Sequence, residues 1–319
     1  MTGSTGSEEA LHPVGCEGAP RAQGLDQGRA CASAIRDWLH SRGLRTRPRM
    51  VPTLRRLAGG PTLGAGVGRE VIRHYPHMGE RMSGIAREAR VPLESLMEDV
   101  VASAYGVAGH PLSAPAPVLG IADADGAVLG RAFAPETPWI VRRSRPEVGF
   151  PSIEITLPWL AGAVAGINDS GVSVVIGSPV AAPIERGLAA APAWMLAQDC
   201  LQRFVALDAS LEWCLRRPSG GDFTLLLGDA SGEFAVIDSS AEGCQLRERG
   251  MGPLVAGGST EAQSSLDKRI ALGGTFGADW LADEGIGGEQ ASQVWLRPSD
   301  GILEWRAPGK DARVVRARG

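Results

Sequence analysis

The side chains that most often carry out chemistry are unevenly distributed along this chain of 319 residues. All five histidines and both tyrosines lie within the first 110 residues. The rest of the chain must therefore rely on carboxylates, thiols, hydroxyls, arginine and backbone groups for any chemistry of its own. The five cysteines are an odd number and form no CxxC pair, which argues against a disulfide framework and against a zinc ribbon.

The short motifs that mark common active sites are missing or weak. The chain has no GxSxG nucleophile elbow and no GxxxxGK[ST] phosphate loop. His74 and His77 are spaced like metal ligands, but Pro76 separates them, which favours a surface histidine pair over a metal site. We therefore predict neither a bound metal nor a cofactor.

The overall composition is that of a globular protein and gives no sign of a nucleic-acid or membrane partner. Hydrophobic residues make up 44% of the chain and charged residues 21%. The net charge of −4 gives no electrostatic reason to expect nucleic acid or an anionic membrane, and no apolar run is long enough to span a bilayer. The N-terminal residues lack a basic start and an apolar segment, so we expect no signal peptide and a cytoplasmic location. The oligomeric state is not indicated.

Hydrophobic periodicity divides the chain into four parts. Residues 1–17 are small and polar, which predicts a mobile tail. Residues 18–105 carry apolar side chains at helical spacing and form a predicted helical region. Residues 106–117 (GVAGHPLSAPAP) have the composition of a linker. From 118 to 319 the period becomes that of strands.

Four times in this last part, an apolar run meets a short turn rich in Asp or Asn that ends in glycine, and a second apolar run follows. The turns are at 123–126, 168–171, 229–232 and 298–301. Asp and Asn tolerate tight turns and glycine supplies positive φ, so each segment predicts a hairpin. A further strand is predicted at 152–157 and a helix pair at 191–206 and 209–217. Eight or more antiparallel strands with interspersed helices predict an α+β fold of two stacked sheets with helices outside.

The hairpins also predict where a site would form. The strand ends away from the turns must share one edge of the sheets, and the four turns must lie at the opposite edge. The predicted edge contains Ala116, residues 132–136, Trp159, Gly177, Ser178, Asp222, Phe223, Ser239 and Ser240. We therefore expect the functional pocket there.

Several segments resemble, in order, the acyl-CoA:6-aminopenicillanic acid (isopenicillin N) acyltransferase family of N-terminal-nucleophile (Ntn) hydrolases. The segments are 18–28 (GAPRAQGLDQG), 82–94, 126–131 (GAVLGR), 149–152 and 166–172 (GINDSGV). The resemblance implies an αββα four-layer sandwich and action on an acyl or amide metabolite of secondary metabolism, such as antibiotic biosynthesis. It also implies self-cleavage that exposes an N-terminal cysteine nucleophile.

The sequence departs from the family pattern at the positions that carry its chemistry. The cysteine nucleophile of the family falls on Ala116, which two prolines flank. The Asn and Asp of the family's G-R-N-x-D run fall on Ala132 and Ala134, and the segment 255–259 (VAGGS) lacks the family's oxyanion-binding Asn. We therefore expect that self-cleavage and the covalent intermediate are absent.

The first functional hypothesis is an enzyme that keeps the pocket and uses non-covalent acid–base chemistry. Glu136 shares the strand parity of residues 132 and 134, and Asp222 begins the third hairpin, so these two carboxylates are the predicted acid and base. Arg131 has the opposite parity and is predicted to be structural. The predicted substrate-binding residues are Ala116, Ala132, Ala134, Trp139, Trp159 and Ser178.

Two alternatives remain open. The first is a catalytically inactive pseudoenzyme that binds a ligand or a partner, with Trp139 and Trp159 lining the pocket. The second is a self-processing amidase or acyltransferase whose nucleophile is Ser113, exposed by cleavage after Leu112. Ser113 lies three residues too far from the hairpin glycine for the family spacing.

Overall fold

The computed structural model describes most of the chain outside its N-terminal end and a few connecting segments. The described residues are 13–47, 71, 73–104, 109–112, 116, 118–123, 126–134, 137–177, 192–217, 223–240, 243–250, 254–256, 264, 268, 291–307 and 311–317. They include the helices and strands whose bounds follow.

The helices are α1 (Pro20–Ala30), α2 (Ala32–Ser41), α3 (Pro76–Ala89), α4 (Leu93–Ala104), α5 (Ala193–Arg203) and α6 (Leu207–Arg216). Pro20 and Pro76 open α1 and α3, because the fixed φ of proline suits a first helical turn. Arg90 ends α3 in the left-handed conformation, with φ at 56°. Helices α5 and α6 confirm the predicted helix pair. Among the described residues, no helix combines the length and apolarity needed to cross a bilayer.

The strands are β1 (Val14–Gly18), β2 (Val118–Asp123), β3 (Gly126–Phe133), β4 (Ile140–Pro146), β5 (Ser152–Thr156), β6 (Ala165–Asn168), β7 (Ser173–Gly177), β8 (Phe223–Gly228), β9 (Phe234–Ser240), β10 (Gly243–Gly250), β11 (Leu254–Ala256), β12 (Ser292–Arg297), β13 (Ile302–Arg306) and β14 (Arg313–Arg316). The larger sheet has the order β1-β4-β5-β6-β7-β8-β9-β10, and the smaller sheet has the order β11-β2-β3-β12-β13-β14. All four predicted hairpins are present as antiparallel pairs.

The two sheets pack face to face. A Cβ placed on Gly120 of β2 would lie 3.3 Å from the side chains of Leu226 and Phe234 in the larger sheet. A Cβ placed on Gly228 would lie 2.9 Å from Leu129 of β3. Contacts this short show that apolar side chains from each sheet fill the space between them, so the inter-sheet layer forms the core.

The turns of three hairpins meet at one edge of the sandwich, as predicted. A Cβ on Gly171 would lie 2.8 Å from the carbonyl oxygen of Pro298 and 2.9 Å from Cβ of Ala230. Gly171 has a φ of 94°, which only glycine adopts without strain. The opposite edge is therefore left for the strand ends that were expected to form a site.

The α+β class and the αββα architecture predicted from the sequence are confirmed by these layers. Helix α5 covers the outer face of the larger sheet, where a Cβ on Gly166 would lie 2.8 Å from Leu201. On the outer face of the smaller sheet, Leu119, Val128 and Ala132 are also buried. Both outer faces are thus covered, as a four-layer sandwich requires.

The predicted tail at residues 1–17 is wrong at its C-terminal end. Val14–Gly18 forms β1, which pairs in parallel with β4 from Arg142 to Pro146. The segment has only five residues, two of them glycines, and its partner lies far away in the sequence. Local periodicity was therefore too short to predict this strand.

Glycines allow α1 and α3 to pack backbone against backbone. A Cβ on Gly24 would lie 2.0 Å from the carbonyl oxygen of Arg81, and one on Gly28 would lie 2.6 Å from that of Ile85. From the other helix, a Cβ on Gly84 would lie 2.3 Å from the carbonyl oxygen of Arg21. Two of the three glycines in the segment 18–28, Gly24 and Gly28, are thus explained by close helix packing.

Candidate active site

Ala116 lies between the sheets at the edge away from the turns. Its side chain is completely buried. Its carbonyl oxygen is 3.2 Å from the place where a Cβ on Gly177 would stand. The residues that lead into β2 therefore meet the end of β7 here. A methyl group offers neither a nucleophile nor a proton, so this position cannot form a covalent intermediate.

Arg131 occupies the neighbouring position on the adjacent strand. It pairs in register with Val118, two residues after Ala116. The Nη1 group of Arg131 donates a hydrogen bond across the sandwich to the carbonyl oxygen of Ile176 on β7. The guanidinium carbon lies 4.9 Å from the centre of the Phe133 ring, a cation–π distance.

The charge of Arg131 is not compensated by any carboxylate in the described part of the chain. The side chain is 2% exposed, and its Nε has no hydrogen-bond partner there. Burial lowers the pKa of Arg131 to about 9, so the guanidinium still carries its charge at neutral pH. A buried cation without a counter-charge can stabilise a carbonyl oxygen, an oxyanion or a carboxylate that enters the site.

The side chains of β3 face the opposite way from what was expected: Arg131, and not Ala132, points toward the larger sheet. Arg131 reaches β7, and Leu129 and Phe133 on the same face belong to the inter-sheet core. Ala132 therefore lies on the opposite face of the smaller sheet and does not line the inter-sheet space. Arg131, which was expected to be structural, is thus the residue that faces the inter-sheet space. The signal was present in the sequence, since Arg131 is the only charged residue in the segment 126–133.

Of the two predicted pocket tryptophans, the structure brings only Trp139 close to Arg131. Trp139 packs edge-on against Phe133 at 4.5 Å between ring centres, and its Nε1 donates to the carbonyl oxygen of Ala134 at 3.3 Å. Trp159 instead stacks on Trp38 of α2 at 4.3 Å and is 1% exposed. Trp159 is a core residue between the larger sheet and the helical region.

Four predicted site residues lie outside the described residues: Ser113, Glu136, Ser178 and Asp222. Their roles stay predictions. Gly177, which precedes Ser178 in the chain, lies beside Ala116. Ala134, two residues before Glu136, accepts the hydrogen bond from Trp139.

The described cysteines do not replace the missing nucleophile. Burial raises the pKa of Cys16, and it raises that of Cys31 to about 12. Cys200 and Cys214 lie 3.4 Å apart within the core, and the hydrogen bond between them raises the pKa of Cys200. Cys16, Cys31 and Cys200 therefore stay protonated and unreactive near neutral pH.

The pair formed by His74 and His77 is not a simple surface pair. The His77 side chain is 19% exposed, and its Nε2 lies 2.7 Å from Oδ1 of the fully buried Asp199. Arg203 contacts the same oxygen at 3.3 Å. Across the described ranges, no three His, Cys, Asp or Glu side chains come together as metal ligands.

A second group of buried polar residues lies on the opposite, helix-covered face of the larger sheet, around Glu154. Its Oε2 accepts hydrogen bonds from Nε of Arg142 at 2.5 Å and from Ser144 at 3.0 Å. Its Oε1 accepts hydrogen bonds from Ser152 and Gln198, both at 2.6 Å. Every lone pair that Glu154 commonly uses is therefore occupied.

This network fixes Glu154 as a carboxylate. Burial alone would raise the pKa of Glu154, but the positive charges of Arg142 and Arg81 and the hydrogen bonds from Ser152 and Gln198 outweigh it and lower the pKa. The network holds two arginines and one carboxylate, so one buried positive charge is in excess.

Comparisons of the sequence with protein-family models and with curated proteins find no match. A comparison of structures finds weak likeness to a mutant conjugated bile acid hydrolase from Clostridium perfringens, with 8% identity, a TM-score of 0.39, and coverage of 64% of this chain and 92% of the other. Penicillin V acylase from Agrobacterium tumefaciens is 9% identical, with a TM-score of 0.37 and coverage of 63% of this chain and 86% of the other. The Caenorhabditis elegans ortholog of N-acylethanolamine-hydrolyzing acid amidase is 11% identical, with a TM-score of 0.41 and coverage of 58% of this chain and 93% of the other. These scores are too low to assign a family or an activity.

Proposed function

We propose that this chain is an acyl- or amide-processing enzyme of the Ntn-hydrolase type that has lost self-cleavage and works without a covalent intermediate. The observation that carries the proposal is the buried guanidinium of Arg131, which no carboxylate among the described residues compensates and which lies at the same edge as Ala116. The αββα fold and the sequence resemblance support the lineage. The methyl side chain at Ala116 supports the loss of nucleophilic catalysis.

In the proposed reaction, Arg131 stabilises the carbonyl oxygen of a small acyl or amide substrate. Water adds to the carbonyl carbon, and negative charge develops on the oxygen within reach of the guanidinium. Arg131 cannot remove the proton from this water, because its burial-lowered pKa of about 9 still leaves it protonated at neutral pH. The proton passes to the predicted carboxylate Asp222, which then protonates the departing amine. Glu136 shares the strand parity of Ala132, which faces away from the inter-sheet space, so we assign it no step.

Replacement of Arg131 by Met should abolish most of the turnover and leave the fold intact. We expect kcat/KM on a panel of acyl p-nitroanilides to fall about a hundredfold or more, because one preorganised donor to a developing oxyanion is lost. The free energy of unfolding should stay level or rise, since an unpaired buried charge is removed. Arg306→Met, an exposed arginine in the same sheet, is the matched control. Unchanged turnover in Arg131→Met would contradict the proposal.

The pH dependence gives an independent check of the same role. Since burial lowers the pKa of Arg131 to about 9, kcat/KM should fall as the pH rises through that value and the guanidinium loses its proton. If Arg131 did not stabilise the substrate oxygen, the loss of its proton would not lower kcat/KM at alkaline pH. The measurement is kcat/KM from about pH 6 to 10.5, with circular dichroism at each pH to confirm that the fold is retained.

The two predicted carboxylates are tested by Glu136→Gln and Asp222→Asn. We expect Asp222→Asn to lose about a hundredfold or more in turnover, the usual range for a general acid or base, and Glu136→Gln to retain its turnover. Full turnover in Asp222→Asn would contradict acid–base catalysis by this residue. A protein that binds amides without turning any over would instead be the ligand-binding pseudoenzyme.

A further inference from the structure

A cavity of about 590 Å³ lies on the helix-covered face of the larger sheet, on the other side of that sheet from Ala116 and Arg131. It is bounded by the start of α1, by α3, by the connection between β4 and β5, by the end of α5 and by Trp213 of α6. A volume of roughly 300–1,000 Å³ is typical of sites for small organic molecules.

The walls of the cavity are mostly apolar and well fixed. Its apolar lining includes the large side chains of Met78, Phe150, Phe204 and Trp213. The backbone nitrogen of Phe150 donates to the carbonyl oxygen of Gln202 at 3.0 Å, which ties the β4–β5 connection to the end of α5. The cavity is therefore preformed rather than dependent on a loop closing over a ligand.

The floor of the cavity carries an excess positive charge. The Arg81 side chain lies there, is 1% exposed, and donates through Nη2 to Ser144 at 3.1 Å. Its Nε and Nη1 have no hydrogen-bond partner within the described residues. The nearby carboxylate, Glu154, is already fully engaged with Arg142 and its other donors.

Arg81 is charged at neutral pH in spite of its burial. Desolvation and the neighbouring charge of Arg142 lower its pKa to about 10, with Glu154 and Cys16 acting in the opposite direction. Two buried arginines and one buried carboxylate leave one positive charge without a partner. Such an imbalance is costly unless an anion completes the group.

Further polar side chains border the same space, among them Gln23, His77, Glu147 and Arg203. Gln23, 1% exposed, has an unpartnered Oε1, so a ligand that donates a hydrogen bond can also be accommodated. His77 is held by Asp199 through Nε2, which leaves Nδ1 as its remaining polar atom. Glu147 also lines the cavity and disfavours ligands that carry two negative charges.

We propose that this cavity is a second ligand site, which takes a small monoanionic carboxylate with an apolar or aromatic body. Its carboxylate accepts hydrogen bonds from Arg81 on the floor, and its body packs against the four apolar walls. Binding requires the Arg81 side chain to turn Nε or Nη1 toward the cavity, which gives these donors the acceptor that they lack. This site is independent of the function proposed for Arg131.

The test compares hydrocinnamate with its neutral amide, hydrocinnamamide, by isothermal titration calorimetry on the full chain. We expect saturable binding of the carboxylate and at least about tenfold weaker binding of the amide, since only the carboxylate pairs with the guanidinium. Acetate, which lacks the apolar body, should also bind at least about tenfold more weakly. Equal affinities for hydrocinnamate and the amide, or no saturable binding of hydrocinnamate up to about 10 mM, would overturn the proposal.

The variant Arg81→Met locates the binding. We expect it to weaken hydrocinnamate binding at least about tenfold and to leave amide turnover unchanged, whereas Arg306→Met should change neither. Retained affinity in Arg81→Met would overturn the proposal. If the variant does not fold, the carboxylate–amide comparison on the unaltered protein still decides the matter.

Discussion

Replacement of Glu154 by Gln should destabilise the protein by about 3–5 kcal/mol, a large part of the stability of a typical domain. The substitution keeps the shape of the side chain and removes its charge. Two fully buried arginines, Arg142 and Arg81, would then share the core without a carboxylate. The loss is measured as the free energy of unfolding from urea titration at neutral pH.

The same residue predicts how stability depends on pH. Because the folded state lowers the pKa of Glu154, its stabilising contribution is complete above the unfolded pKa of about 4.3. The contribution is lost as the pH falls from that value through the lowered pKa of the folded state. The difference in stability between the unaltered protein and Glu154→Gln should therefore shrink as the pH falls below about 4.

Glu233→Gln is the matched control, because Glu233 contacts Arg249 at 2.6 Å on the surface of the protein. Solvent screens this ion pair, so the control should leave the free energy of unfolding nearly unchanged. Equal effects of Glu154→Gln and Glu233→Gln would show that the buried network does not stabilise the fold.

Replacement of Gly24 by Ala should be nearly as damaging. The new methyl group would stand 2.0 Å from the carbonyl oxygen of Arg81, and this neighbour is backbone that cannot rotate away. Helices α1 and α3 must separate, at a cost of about 2–4 kcal/mol after the higher helix propensity of alanine is included. The measurement is again the free energy of unfolding.

Gly15→Ala makes the same chemical change at a position where nothing lies within 4 Å of the added carbon. We expect this control to be close to neutral or slightly stabilising. If Gly24→Ala unfolds at the same urea concentration as the control, the close approach of α1 and α3 is wrong.

The hairpins were predictable because their signals are local. A turn such as Asn168 to Gly171 carries both the residues that tolerate tight dihedrals and the glycine with positive φ, so the sequence alone defines it. By contrast, β1 pairs with β4, more than a hundred residues later, and has only five residues, two of which are glycines. The tail boundary was missed for this reason.

The edge that holds the candidate site was predictable, but the residues that face it were not. The hairpin topology predicts Ala116 and Gly177 at one edge, and in the structure the two residues meet there. Which side chains of β3 face the larger sheet depends on the register of β3 with β2 and β12. A shift of one residue would place Ala132 instead of Arg131 on that face. The importance of Arg131 emerges only from the lack of a carboxylate around it within the described part of the chain, which is a property of three-dimensional packing.

The most direct test of the central claim, an Ntn-type fold without Ntn self-cleavage, is the intact mass of the purified protein under denaturing conditions. We predict one uncleaved species at the full mass of 33.3 kDa. Two fragments that meet between Leu112 and Ser113 would contradict the claim, because they would show that the chain matures by self-cleavage and exposes Ser113 as its nucleophile.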